Sequence, residues 1–162
     1  MEIILKEFWI VFILITIING FWLKIDLKRY SAENPALQKG YDDYVKGYII
    51  YLSIPWIIMG IGNLSGLTNS PLEFFTPRLM NPIVLVFHAS LVILWILSIR
   101  WVYFKNGAEF IAKHPGLISK PSLSGNPNVT AKQVKLFLPL MILVGMGALI
   151  MMWIMDIPQV EF

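Results

Sequence analysis

Cysteine is absent from this 162-residue chain. That excludes disulfides, thiolate metal sites and cysteine nucleophiles. Charge is scarce too. Asp, Glu, Lys and Arg make up 14% of the residues, against about 25% in an ordinary soluble domain. So few charges cannot clothe a soluble fold of this size. There are two histidines, His88 and His114. No P-loop, HExxH, GxSxG or DDxxD-like motif is present, so the common marks of nucleotide, zinc-protease and serine-hydrolase chemistry are missing.

What the chain has in quantity is apolar residues, 57% of the total. They fall in four runs, about 3–23, 45–67, 81–104 and 134–155. Each is close to the roughly 20 residues that a helix needs to cross about 30 Å of hydrocarbon. Lipid offers a backbone no hydrogen-bond partners, so continuous spans of this kind must be helices. A transmembrane barrel would instead show short alternating segments. The expected fold is an all-α integral membrane protein: one up-and-down bundle of four transmembrane helices over 1–162. The mixed-charge start, Met1 to Glu7, runs straight into the first span without a small-residue cleavage site. It reads as a retained helix rather than a signal peptide.

Local punctuation agrees with these spans. Pro82 fits the first turn of the third helix, where its missing N–H is harmless. Thr130 and Gln133 form a capping-box pattern, so the fourth helix is expected to start before the lipid. Pro55 lies inside the second span and predicts a kink near Tyr51. The segment 120–130 reads as a loop.

Lys and Arg set the orientation. Eleven of the thirteen lie in or beside the segments 24–44 and 105–133. The positive-inside rule makes both loops cytoplasmic and both termini non-cytoplasmic. The bacterial inner membrane is the expected location. The net charge of +3 follows from this topology, and no nucleic-acid partner is expected.

Few polar residues offer chemistry. His88 lies about seven residues into the third span, and an intramembrane ionisable group is a functional hypothesis by default. Asn63, Glu7 and Asp156 sit near the same outer ends, so the four residues are expected to form one outward-facing polar patch. The plainer reading makes His88 a hydrogen-bonding link between helices. No known metal spacing is matched, and neither a metal nor a cofactor is expected. No catalytic residue is assigned. Gly60, Gly62 and Gly66 in the second span, with Gly145 and Gly147 in the fourth, predict close helix packing. Gly62 and Gly66 form a GxxxG pair.

At the cytoplasmic end, Tyr41, Tyr44, Tyr48 and Tyr51 fall on one helix face and read as interfacial anchors. Residues 107–114 predict a short amphipathic helix broken at Pro115-Gly116, with His114 solvated.

The expected function is a non-catalytic accessory, assembly or scaffold subunit, whose partners are the bilayer and either another membrane protein or a second copy. One alternative is a small redox or ligand-binding protein using the patch around His88. The other is an oligomeric transporter or channel, although the spans carry no charge at mid-depth.

Overall fold

The computed structural model describes residues 7–118 and 129–154, and these are helical with no strand among them. Among the described residues there are five α-helices: α1 (Phe8–Glu33), α2 (Gln38–Leu64), α3 (Pro82–Phe104), α4 (Gly107–Lys113) and α5 (Ala131–Ile154). All but α4 are long and apolar enough to cross a membrane.

The first connection differs from the expectation. Segment 24–44, read as a loop, is helical except for Asn34 and one 3-10 turn, Pro35–Leu37. Residues 24–33 are mostly good helix formers, and their charges hide an amphipathic stripe. Leu27, Tyr41 and Val45 on the two extensions are buried against one another. The helix stops only at Asn34, where Pro35 disfavours the α conformation of the residue before it. At 26 residues, α1 is roughly 39 Å long, longer than the hydrocarbon alone requires.

The other ends follow their caps. Asn81 accepts the Ile83 N–H at 3.2 Å and Pro82 opens α3. At α5 the Gln133 N–H donates to Thr130 Oγ1 at 3.3 Å, and Gln133 Oε1 accepts the Thr130 N–H at 3.0 Å. That reciprocal pair is the capping box read from the sequence. At the end of α2, the Leu67 N–H donates to Gly62 O at 3.0 Å and the Gly66 N–H to Asn63 O at 3.3 Å. Gly66 has φ +70. This is a Schellman stop, in which the left-handed residue is the glycine. Gly66 therefore ends the helix, and of the GxxxG pair it is Gly62 that meets a neighbour within the chain, at Phe74. α2 runs continuously through Pro55, which is buried.

Neighbouring helices are antiparallel. Trp9 meets Gly60, and Gly20 meets Ile49. Trp56 of α2 lies against Phe87 of α3, and Trp95 of α3 against Gly145 of α5. The extensive contacts run in chain order, α1 on α2 and α2 on α3, while α5 rests on α4 and α3. Helix α4 folds back, burying Ala108 and Ile111 against Val102, Val129 and Val134. The Lys135 ammonium sits 2.7 Å from the Glu109 carboxylate and holds that carboxyl below the usual glutamate range.

Gly66→Ala should destabilise the fold by about 1 kcal/mol, the left-handed penalty of a β-carbon, although Gly66 has open space around it. Thermal unfolding in detergent checks this. An unchanged midpoint would mean that the α2 stop tolerates another backbone conformation.

Candidate functional site

The connection between α2 and α3 carries a cluster of side-chain hydrogen bonds. Its two 3-10 turns, Pro71–Phe75 and Pro77–Leu79, form a folded cap over the helix ends. Prolines open both turns, Ser70 Oγ accepts the Leu72 N–H at 3.2 Å, and Phe74 is fully buried. Glu73 is buried as well. One carboxylate oxygen accepts the Asn69 N–H at 2.7 Å, and the other accepts from Asn81 Nδ2 at 3.4 Å. Asn81 Nδ2 also donates to Leu67 O at 2.7 Å. The carboxylate thus ties the end of α2 to the start of α3. Glu73 was missed in the sequence because an acid in a short polar connection reads as solvated. The signal for it was the unusual company of two prolines and Phe74-Phe75, which a solvated loop does not need.

His88 points into this cap and is 5% exposed. Its Nε2 lies 2.9 Å from the Phe74 carbonyl oxygen. A carbonyl only accepts, so Nε2 carries the proton and donates. Nδ1 is then left as an acceptor, buried and without a hydrogen-bond partner among the described residues. The hydroxyl of Thr68, in the same cap, is buried and unpartnered too. Phe87 and Trp153 stand edge-on to the imidazole, 5.5 and 6.1 Å away between ring centres.

Among the described residues, no other member of the expected patch is hydrogen-bonded to His88. His88 makes its one hydrogen bond to Phe74, so neither Glu7 nor Asn63 is bonded to it. Glu7 accepts from the Trp9 indole at 2.9 Å. Asn63 is half-buried at the end of α2, where its carbonyl accepts the Gly66 N–H. Asp156 lies outside the described residues. No three His, Asp or Glu side chains converge on a metal-sized site among the described residues.

Arg78, from the same cap, reaches α5. Its guanidinium donates to the carbonyls of Trp153 and, at 2.6 Å, Ile154. A cation on the last carbonyls of a helix satisfies orphan acceptors and suits the negative end of the dipole.

The glycines divide by role. A Cβ at Gly60 would lie 2.6 Å from the Trp9 ring, and one at Gly62 would lie 2.8 Å from Phe74. Gly145 admits Trp95, with 2.8 Å to a would-be Cβ, whereas Gly147 has nothing within 4 Å. Gly60, Gly62 and Gly145 thus serve packing within the chain.

At the opposite end, His114 is buried rather than solvated, at 8% exposure. Its Nδ1 lies 2.7 Å from Phe110 O, its ring stacks on Phe110, and Tyr41 stands edge-on to it. The Tyr41 hydroxyl donates to Pro115 O at 3.0 Å. The lower part of the tyrosine stripe therefore clamps the chain that follows α4, while Tyr51 remains 53% exposed. The missed signal was Gly40, whose lack of a side chain lets His114 approach.

His88→Leu should cost about 1–3 kcal/mol, the penalty for stranding the buried Phe74 carbonyl, and should lower the unfolding temperature. A variant as stable as the native chain would show that this hydrogen bond does not hold the cap. Comparison with protein-family models, curated proteins and solved structures returns no match, so the reading of function rests on the residues themselves.

Proposed function

We propose that this chain is a non-catalytic subunit of a membrane complex, an accessory, assembly or scaffold protein. It sits in a bacterial inner membrane as an up-and-down bundle of four helices. Both termini are non-cytoplasmic, and the basic ends of the helices lie in the cytoplasm. The charge asymmetry of the sequence supports that orientation.

One observation carries the reading: the state of α5. None of its most apolar 18-residue window is buried within the chain. Leu143, Val144, Ile150 and Met151 are more than half exposed, and Gly147 lies among them with open space where a side chain would be. Lipid covers apolar side chains readily. A glycine on such a face does something more, because it lets another helix come close enough for backbone-level packing. The polar groups of the cap fit the same reading. Glu73, Arg78 and the Nε2 of His88 are engaged with backbone groups of the chain itself.

A second reading, a small ligand-binding protein, has one specific observation in its favour. Nδ1 of His88 and the Thr68 hydroxyl are buried polar atoms without partners among the described residues, and such atoms invite a water or a ligand group.

Two experiments test the first reading. In mild detergent the chain should co-purify with a different membrane protein. Gly147→Leu should abolish that association while leaving the unfolding temperature of the isolated chain unchanged. Recovery of this chain alone, as a homo-oligomer, would count against a subunit role. For orientation, alkaline phosphatase fused after Phe162 should be active, and an inactive but well-expressed fusion would reverse the topology.

A further inference from the structure

Between α1 and α2, at their basic ends, lies a cleft of about 130 Å³. It is small beside drug-sized pockets of about 300–1,000 Å³. Its apolar floor is Leu27, Tyr41 and Val45, and its rim includes Lys24, Lys28 and Ser31. The two lysines lie four residues apart and so share one face of α1.

Their circumstances differ. The Lys24 ammonium is 3.1 Å from an Asp42 oxygen, and Gln38 Nε2 donates to the other oxygen at 2.8 Å. Asp42 also lines the cleft, with its carboxylate engaged by Lys24 and Gln38. Lys28 has no ion pair or side-chain hydrogen bond among the described residues; its carbonyl accepts from the Ser31 hydroxyl at 3.0 Å. The rim thus presents one unpaired ammonium, a second shared with a carboxylate, and a hydroxyl, and its net charge is positive.

The depth of the cleft narrows the ligand. Phe21 and Trp22, just before Lys24, are 60% and 63% exposed and belong to the apolar run. Lys24 is the first charge after that run. The cleft therefore opens where the apolar run gives way to charged residues, the level at which hydrocarbon yields to headgroups.

We infer that the Lys24–Lys28 cleft binds a phosphate-bearing anion, with Lys28 as the principal cation. The chemistry is shared by the headgroup phosphate of an anionic phospholipid and by free phosphate. An ammonium gives a phosphate oxygen a charge-assisted hydrogen bond, and a cationic patch beside a membrane also attracts anionic lipid at long range. The lipid source rests on the reading of α1 as membrane-spanning. Retention of the chain in the membrane pellet after carbonate extraction tests that reading separately.

The test uses the full chain in neutral detergent, with phosphatidylglycerol, phosphatidylcholine or inorganic phosphate added. Lipid retention is read by native mass spectrometry and stabilisation by thermal unfolding. Either phosphatidylglycerol or inorganic phosphate should raise the unfolding temperature, the effective one identifying the source, and phosphatidylcholine should do less. Lys28→Gln should unfold at the native temperature without ligand, because the Lys28 ammonium has no ion pair or hydrogen bond among the described residues, yet bind about tenfold more weakly, as expected for one lost charge-assisted bond. Asp42→Asn frees Lys24 and should bind more tightly. The inference is overturned if neither anion stabilises the chain, if Lys28→Gln binds as well as the native protein, or if Asp42→Asn weakens binding.

Discussion

A helix leaves four amide and four carbonyl groups without internal partners at its ends, and in this chain the need to satisfy them decides where most polar side chains go. Asn81 and Thr130 accept amides at the starts of α3 and α5. Gly66 closes α2 through two backbone bonds. Arg78 donates to the last described carbonyls of α5, and Tyr103, on α3, donates to the carbonyl of Lys135, which Pro139 four residues on leaves without an amide. With few charged residues and long apolar helices, the chain concentrates polarity at two ends and leaves the middle to aromatic and aliphatic contact. Phe12 stacked on Trp56 at 4.2 Å is typical of that middle.

The same need explains which features could be read in advance. Four apolar runs imply four long helices because lipid leaves the backbone no alternative, and the helices are there. The capping box and the proline at the start of α3 are local chemistry, and they stand where the sequence puts them. The connection over 24–44 was hidden for a definite reason. Hydropathy averages over both faces of a helix, so charges on one face masked Leu27, Tyr41 and Val45 on the other. Gly66 was ambiguous because a packing glycine and a stopping glycine look alike until φ is known.

The candidate site was less legible. His88 was visible as an ionisable residue in an apolar run, but its partner is a backbone carbonyl, which carries no side-chain signature. Glu73 acts within its own connection, through Asn69 and Asn81, whereas Arg78 acts across the fold, 75 residues away at Trp153. His114 looked solvated because its segment is short and polar, yet it is enclosed by Phe110, Tyr41 and Gly40. In each case the missing information was spatial proximity rather than residue chemistry.

The order of helix contacts bears on how the molecule is made. Since α1 packs on α2, α2 on α3, and α5 on α3 and α4, each helix meets a neighbour already synthesised. Assembly can then keep pace with translation, without waiting for a distant segment to close a ring. Helix α5 is the exception in its depth of engagement, held near its ends by Arg78, Tyr103 and Glu109 and only lightly along its length. Among the described helices, the one that follows the others in the chain is also the least buried of the four long ones, so the packing of the earlier helices does not wait on it.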